Sequence, residues 1–243
     1  SGEDGIGITP DDIYAYVEKT GILPKSSAVS IDEYKRAFRT WREKGYEIIH
    51  FNISSLFSSC YQYACAAAEA VGGVSVVDTR NLSSGQGLTV IRAAEMAKAG
   101  ASVQEIIQAC EGMIPRVEAS FVVDSIDYLR KGGRCSALAA LGANVFHLKP
   151  CIEVREGRME PGKKYRGDIN KVIRNYVEDR LKDRTDIEDT RIFITHTRCK
   201  PETVENVKAQ IRALQPQIRE ILDTTAGATV TTHCGPGTLG VLF

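Results

Sequence analysis

The chain has 243 residues, enough for one large or two small domains, with 43% hydrophobic and 26% charged residues as in ordinary globular proteins. Its 31 Lys plus Arg against 31 Asp plus Glu give a formal net charge of zero, which argues against nucleic acid as the main partner. No apolar run approaches the roughly 20 residues of a membrane-spanning helix, no signal peptide opens the chain, and seven scattered cysteines without a CxxC pair indicate free thiols in a reducing cytoplasm.

Thr9, Pro10, Asp11 and Asp12 spell a helix start: an N-cap, a proline at the first helical position, and acids in the first turn. The predicted helix runs to about Lys19, and Gly21 stops it. Residues 23–30 are extended, and Ser30 caps a second helix in which Tyr34 and Phe38, one turn apart, face inward. Residues 47–53 read as a buried strand, 54–59 as a serine-rich loop, 61–70 as an alanine-rich helix and 74–78 as a second strand. A long helix follows over about 85–99. Ser102 and Glu105 form a capping box for the next helix, and 119–124 is a strand. This alternation predicts an α/β fold with mostly parallel pairing.

The texture changes near Leu148. Residues 150–155 alternate like a half-exposed strand, Glu156-Gly157 is a hairpin turn, and 158–161 leads back. A charged helix is predicted over 169–182, a strand over 191–195 and a helix over 202–214. The division is therefore 1–147 for a first lobe and 148–243 for a second, whose tail returns to a ligand site. In that tail, 228–230 has β-branched, strand-like character, and Gly235, Pro236 and Gly237 make a rigid turn with uncommitted backbone N–H groups beside His233.

Ser54, Ser55, Ser58 and Ser59 sit where a strand ends and a helix begins, the place where open α/β sheets bind ligands and helix N-termini favour anions. Gly132 and Gly133 project the Arg134 guanidinium, and Gly167 follows Arg166; arginine suits bidentate contact with carboxylate or phosphate. No serine sits in a Gly-x-Ser-x-Gly elbow and His233 has no evident carboxylate orienter, so a catalytic triad is not expected. His50 lies in an apolar strand as a core residue. His147 and His196 lack ligand-spaced neighbours, so no metal site is expected.

Five ordered stretches, 53–61, 126–136, 148–150, 164–167 and 231–240, together resemble the DegV family of bacterial fatty-acid-binding proteins, from about Gly5 to Phe243. The resemblance implies two interleaved α/β lobes with a lipid between them, and no cofactor beyond the bound long-chain fatty acid. It implies a carboxylate-gripping set of Ser26, Ser58, Ser59, His233 and Gly235. It places Arg134 and Arg166 at a face where an ATP-dependent fatty acid kinase subunit docks and phosphate arrives, with Lys149 supporting that region's charge. The family's Ser-Ser-x-Leu-Ser-Gly-Thr pattern is met with Phe57 for leucine, Ser59 for glycine and Cys60 for threonine, while Ala28 and Val29 depart from its Thr-Thr-Ser-Gln-Pro. An opening strand ending in Asp-Ser, usual in the family, is absent. The expected role is a ligand-presenting subunit without catalytic machinery, with Phe57, Phe121, Ile126, Leu129, Phe146 and Leu239 as candidate lining. The alternatives are an enzyme using Ser58 as nucleophile on a small acyl or phosphoryl substrate, and a regulatory lipid sensor.

Overall fold

The computed structural model describes residues 2–132 and 148–243. The chain forms two compact units, one of Ser27–Glu118 with Val154–Arg158, the other of Ser1–Ser26, Ala119–Glu153 and Met159–Phe243.

The first of these is built on α2 (Ile31–Arg42), β1 (Ile48–Asn52), α3 (Cys60–Val71), β2 (Val74–Asp78), α4 (Ser83–Lys98) and α5 (Val103–Met113). β1 and β2 pair in parallel, with Phe51 opposite Val77. Tyr34 and Phe38 are buried with Cys60, Ala64, Ala67 and Ala68; four small residues along one face of α3 let α2 come close. His50 packs edge-on against the Tyr34 and Phe38 rings, centroids 5.3 Å away in each case; it is half-buried beside the core rather than within it, and that burial pushes its pKa down. The tip of the later hairpin joins this unit, where Glu156 and Gly157 have φ of 49° and 79°, and Ser54 Oγ donates to the Gly157 carbonyl at 2.7 Å. Two successive positive φ values match the right-handed twist of paired strands.

The other unit holds α1 (Pro10–Thr20), β3 (Ala119–Val122), α6 (Asp127–Lys131), β4 (Lys149–Arg155), β5 (Arg158–Tyr165), α7 (Ile169–Leu181), β6 (Arg191–His196), α8 (Pro201–Leu214), β7 (Glu220–Thr225), α9 (Ala228–Cys234) and β8 (Leu239–Leu242). Its strands form one sheet in the order β5-β4-β3-β8-β6-β7. The period of two sorts its side chains between faces. Val122, Cys151, Ile192, Ile194, Leu239 and Val241 meet Val172, Tyr176, Val177, Val204, Val207 and Ile211 of α7 and α8. Phe121, Val123 and Ile152 meet Ile126 and Leu129 near α6, together with Val230 and Cys234 of α9.

Three sequence expectations change here. Pairing is mixed rather than mostly parallel: β3–β8 and β8–β6 are antiparallel while β6–β7 is parallel. The units do not follow a cut at 147/148, because β3 pairs with C-terminal β8 across some 120 residues of sequence, Ala119 opposite Leu242, and pulls its neighbourhood into the later unit. Residues 228–230 are helix, not strand. Gly227 enters with extended backbone, and the Asp4 carboxylate accepts from the N–H groups of Ala228 at 2.7 Å and Thr229 at 2.8 Å, an acceptor local propensity cannot report. The short α6 and the half-exposed β7 were not foreseen.

Candidate functional site

β3 and β6 end, and β8 begins, at one edge of the six-stranded sheet, with Val122 and His196 both paired to Leu239. The chain leaves β7 at this same edge, since Ala226 N–H donates to the His196 carbonyl at 2.9 Å, and it enters α9 directly. Ligands of open α/β sheets gather at carboxyl strand ends like these.

His233 occupies the last turn of α9. Its Nε2 lies 2.8 Å from Ser26 Oγ, across 207 residues of sequence. Either the hydroxyl donates to a ring lone pair or the ring N–H donates to the hydroxyl, according to tautomer. Gly132, just past α6, makes room for the ring, since a Cβ there would stand 2.6 Å from His233 Nδ1. Gly235 ends α9 at φ 71°, ψ −178°, a combination open essentially to glycine, and a Cβ would meet the Tyr128 ring at 2.6 Å.

The turn's amides are not open, which corrects the sequence expectation. Gly235 N–H donates to the Thr231 carbonyl at 2.9 Å, and Gly237 N–H to the Thr197 carbonyl at 2.8 Å. Thr238 N–H donates to Thr197 Oγ1 at 3.0 Å, and that hydroxyl donates to the Gly235 carbonyl at 2.6 Å. Gly235 therefore shapes the site and offers no free donor; side chains are what remain for an anion.

Ser58 and Ser59 lie in the other unit, in the loop between β1 and α3. Of the loop's four hydroxyls, Ser54 is fully buried and ties that loop to Gly157, while its own N–H donates to the Asn81 carbonyl at 2.9 Å. Ser55 N–H donates to the Asp78 carboxylate at 3.2 Å. Ser58 Oγ accepts from Cys60 N–H at 3.2 Å, which leaves its own proton to be given to an acceptor. Ser59, standing where the family pattern has glycine, takes φ −71°, ψ −1°, a backbone any residue adopts, and makes no capping bond.

Arg166 is exposed beyond β5, followed by Gly167 at φ 112° and by Asp168, which caps α7 through Asn170 N–H at 2.8 Å. Arg134 and Phe146 lie outside the described residues. Lys149 is held by Asp124, its Nζ donating to the carbonyl at 3.0 Å and to the carboxylate. Of the candidate lining, Phe121, Ile126 and Leu129 share one buried cluster with Val230 and Cys234 of α9; Leu239 belongs to the opposite face of the sheet, and Phe57 is half-buried in the other unit. Complete burial pushes the Cys234 thiol up to about 12, so the cysteine next to His233 stays protonated and is no nucleophile at neutral pH.

Sequence reading missed Asp4, Tyr14, Tyr128 and Thr197. Tyr14 is buried on α1, which packs along α9, and the Arg198 guanidinium lies 4.2 Å from the Tyr14 ring centre. The inward spacing of α1 was a usable signal for Tyr14; the others depend on contacts distant in sequence. Among the described residues, no cluster of His, Cys, Asp or Glu could hold a metal ion, and no helix is long and apolar enough to cross a membrane.

The family model described as an uncharacterised protein of the DegV family matches residues 1–243. A DegV domain-containing protein of Deinococcus radiodurans is 33% identical over 246 residues, covering 98% of this chain and 84% of that protein. A fatty acid-binding protein of Thermotoga maritima is 29% identical over 231 residues, covering 93% and 79%. The solved structure of a DegV family protein from Thermus thermophilus, described for its fatty acid binding, superposes with a TM-score of 0.89 at 28% identity, covering 98% of this chain and 85% of that one.

Proposed function

The chain belongs to the DegV family, and from that premise we propose that it binds a long-chain fatty acid and presents the carboxylate to a separate ATP-dependent kinase subunit, which forms the acyl phosphate. The observation that carries this reading is the 2.8 Å contact of Ser26 Oγ with His233 Nε2, two polar side chains able to donate hydrogen bonds brought together at the carboxyl edge of a sheet, where a carboxylate would take over the proton they now share between them. Hydrogen bonds from such groups to a carboxylate contribute about 1.5–3 kcal/mol each. The family pattern gives Ser58 and Ser59 the same duty. Fatty acid binding described for the Thermus thermophilus and Thermotoga maritima relatives supports the ligand class.

Beside His233 lies the buried apolar cluster of Phe121, Ile126 and Leu129, against which an acyl chain would pack on this reading. A chain of about sixteen carbons gains on the order of 12 kcal/mol from burial at ~0.8 kcal/mol per methylene, less the cost of ordering. The protein itself performs no chemistry on this reading and works in the cytoplasm. Exposed Arg166, with Arg134, meets the kinase and the incoming phosphate.

Native mass spectrometry of freshly purified protein tests the proposal. The expected result is a mass increment of one fatty acid, then a further phosphate increment on the released lipid once kinase subunit and ATP are added. Arg166→Ala is expected to keep the first increment and slow the second by about tenfold, the scale of one charge-assisted contact. An empty chain that takes up no fatty acid would contradict the proposal.

A further inference from the structure

Residues 3–8 close into a tight loop. Gly7 N–H and Ile8 N–H donate to the Glu3 carbonyl at 2.9 and 3.1 Å, and Gly5, at φ 78°, donates to the Ile8 carbonyl at 3.0 Å. The loop presents Asp4, whose two carboxylate oxygens take the Ala228 and Thr229 N–H groups at 2.7 and 2.8 Å. Gly227 is cut to fit: a Cβ there would stand 2.9 Å from one Asp4 oxygen and 3.0 Å from the other. α9 is seven residues long, with His233 one residue from its end. A helix this short has little stability of its own, so whatever fixes its first turn fixes the direction of its last.

The same N-terminal segment then becomes α1, which packs along α9 through buried Tyr14. Arg198 covers the Tyr14 ring and bonds Asp11 at 3.2 Å and Glu18 at 3.4 Å. Beyond α1 the chain reaches Ser26 in six residues. One segment thus holds both partners of the Ser26–His233 contact.

We propose that Asp4 is a positioning residue for the head-group site: its carboxylate on the first turn of α9 sets the imidazole of His233 against Ser26. The proposal deepens, and for its effect on binding rests on, the fatty acid reading. A carboxylate bonded to free N–H groups at a helix start satisfies groups that otherwise go unpaired and faces the positive end of the helix dipole. Without it the first turn frays, and His233 loses its fixed relation to Ser26.

The test uses the full chain labelled with ¹⁵N-histidine and reads the imidazole signals of His233 in ligand-free protein, then fatty acid affinity. Asp4→Ala removes the contact from one side. Gly227→Ala, at a φ of −70° that alanine accepts, displaces the carboxylate from the other. Both are expected to shift the His233 signals, leave those of His50 in place, and weaken fatty acid binding about fivefold, the scale of a lost N-cap. Asp4→Asn, which keeps an acceptor oxygen, is expected to fall between wild type and Asp4→Ala. A role confined to stability would lower the unfolding midpoint and leave the folded His233 signals where they are; that result, in Asp4→Asn and Gly227→Ala alike, overturns the proposal. Shifted His233 signals in a protein whose wild type takes up no fatty acid would support the positioning of His233 and contradict the fatty acid reading instead.

Discussion

Gly235→Ala is expected to destabilise the folded protein by about 2–4 kcal/mol, the combined scale of a glycine-only backbone and an overpacked contact. The residue sits at φ 71°, ψ −178°, where an L side chain is strained. The added Cβ would also stand 2.6 Å from a Tyr128 ring carbon, closer than packed atoms come. Neither problem has an easy escape. The Gly235 N–H is bonded to Thr231 and its carbonyl to Thr197, so the turn cannot simply rotate. Relief must come from moving α6 or the end of α9, and both movements disturb His233. Urea unfolding of wild type and variant measures the loss. A variant within about 0.5 kcal/mol of wild type, the range of an unremarked surface change, would show that the turn is softer than described.

Tyr176→Phe is expected to cost about 3 kcal/mol, although it deletes a single oxygen. That hydroxyl is fully buried between α7 and the sheet. It donates to the Ser120 carbonyl at 2.8 Å and accepts from Val241 N–H at 2.9 Å and from the Ser120 hydroxyl at 2.8 Å. Burial pushes its pKa upward, so it is a neutral donor and acceptor at any ordinary pH. Phenylalanine fills the space but takes a hydrogen-bond partner from three polar groups inside β3 and β8, and weakened pairing of buried groups is what makes such changes expensive. Ser120→Ala removes one group and leaves the other two bonds intact, so it is expected to cost less. Comparison of the two denaturation midpoints decides the point; equal losses, or a larger loss for Ser120→Ala, would contradict the network as drawn.

Elements defined by signals within a few residues were legible in the sequence. Thr9, Ser30 and Ser102 each cap a helix with a reciprocal acidic residue three positions on, Val74–Asp78 is the strand expected, and Glu156-Gly157 is the turn expected. What failed depends on partners far away. α9 reads as a strand by its Thr and Val content, and is a helix because Asp4, 224 residues earlier, caps it. β7 reads as nothing in particular because Glu220, Asp223 and Thr225 leave it half-solvated beside β6. The interleaving follows from β3 pairing with β8, which no local pattern announces. The same division holds for the candidate site. Ser26 and His233 are in contact; His233 stands out beside its glycine-rich turn, but its pairing with Ser26 is available beforehand only through the family pattern. The open amides expected of the Gly-Pro-Gly turn are committed to Thr197 and Thr231, because a threonine 40 residues upstream lies under the turn.

The central claim, that a fatty acid carboxylate is held at Ser26 and His233, is tested most directly by calorimetric titration of a long-chain fatty acid into delipidated protein, wild type against the Ser26→Ala, His233→Ala double variant. Saturable binding at one site in wild type, weakened at least about tenfold in the double variant by the loss of hydrogen bonds to a charged group, is the result predicted. Equal affinity in the two proteins, or no saturable binding in wild type, would contradict it.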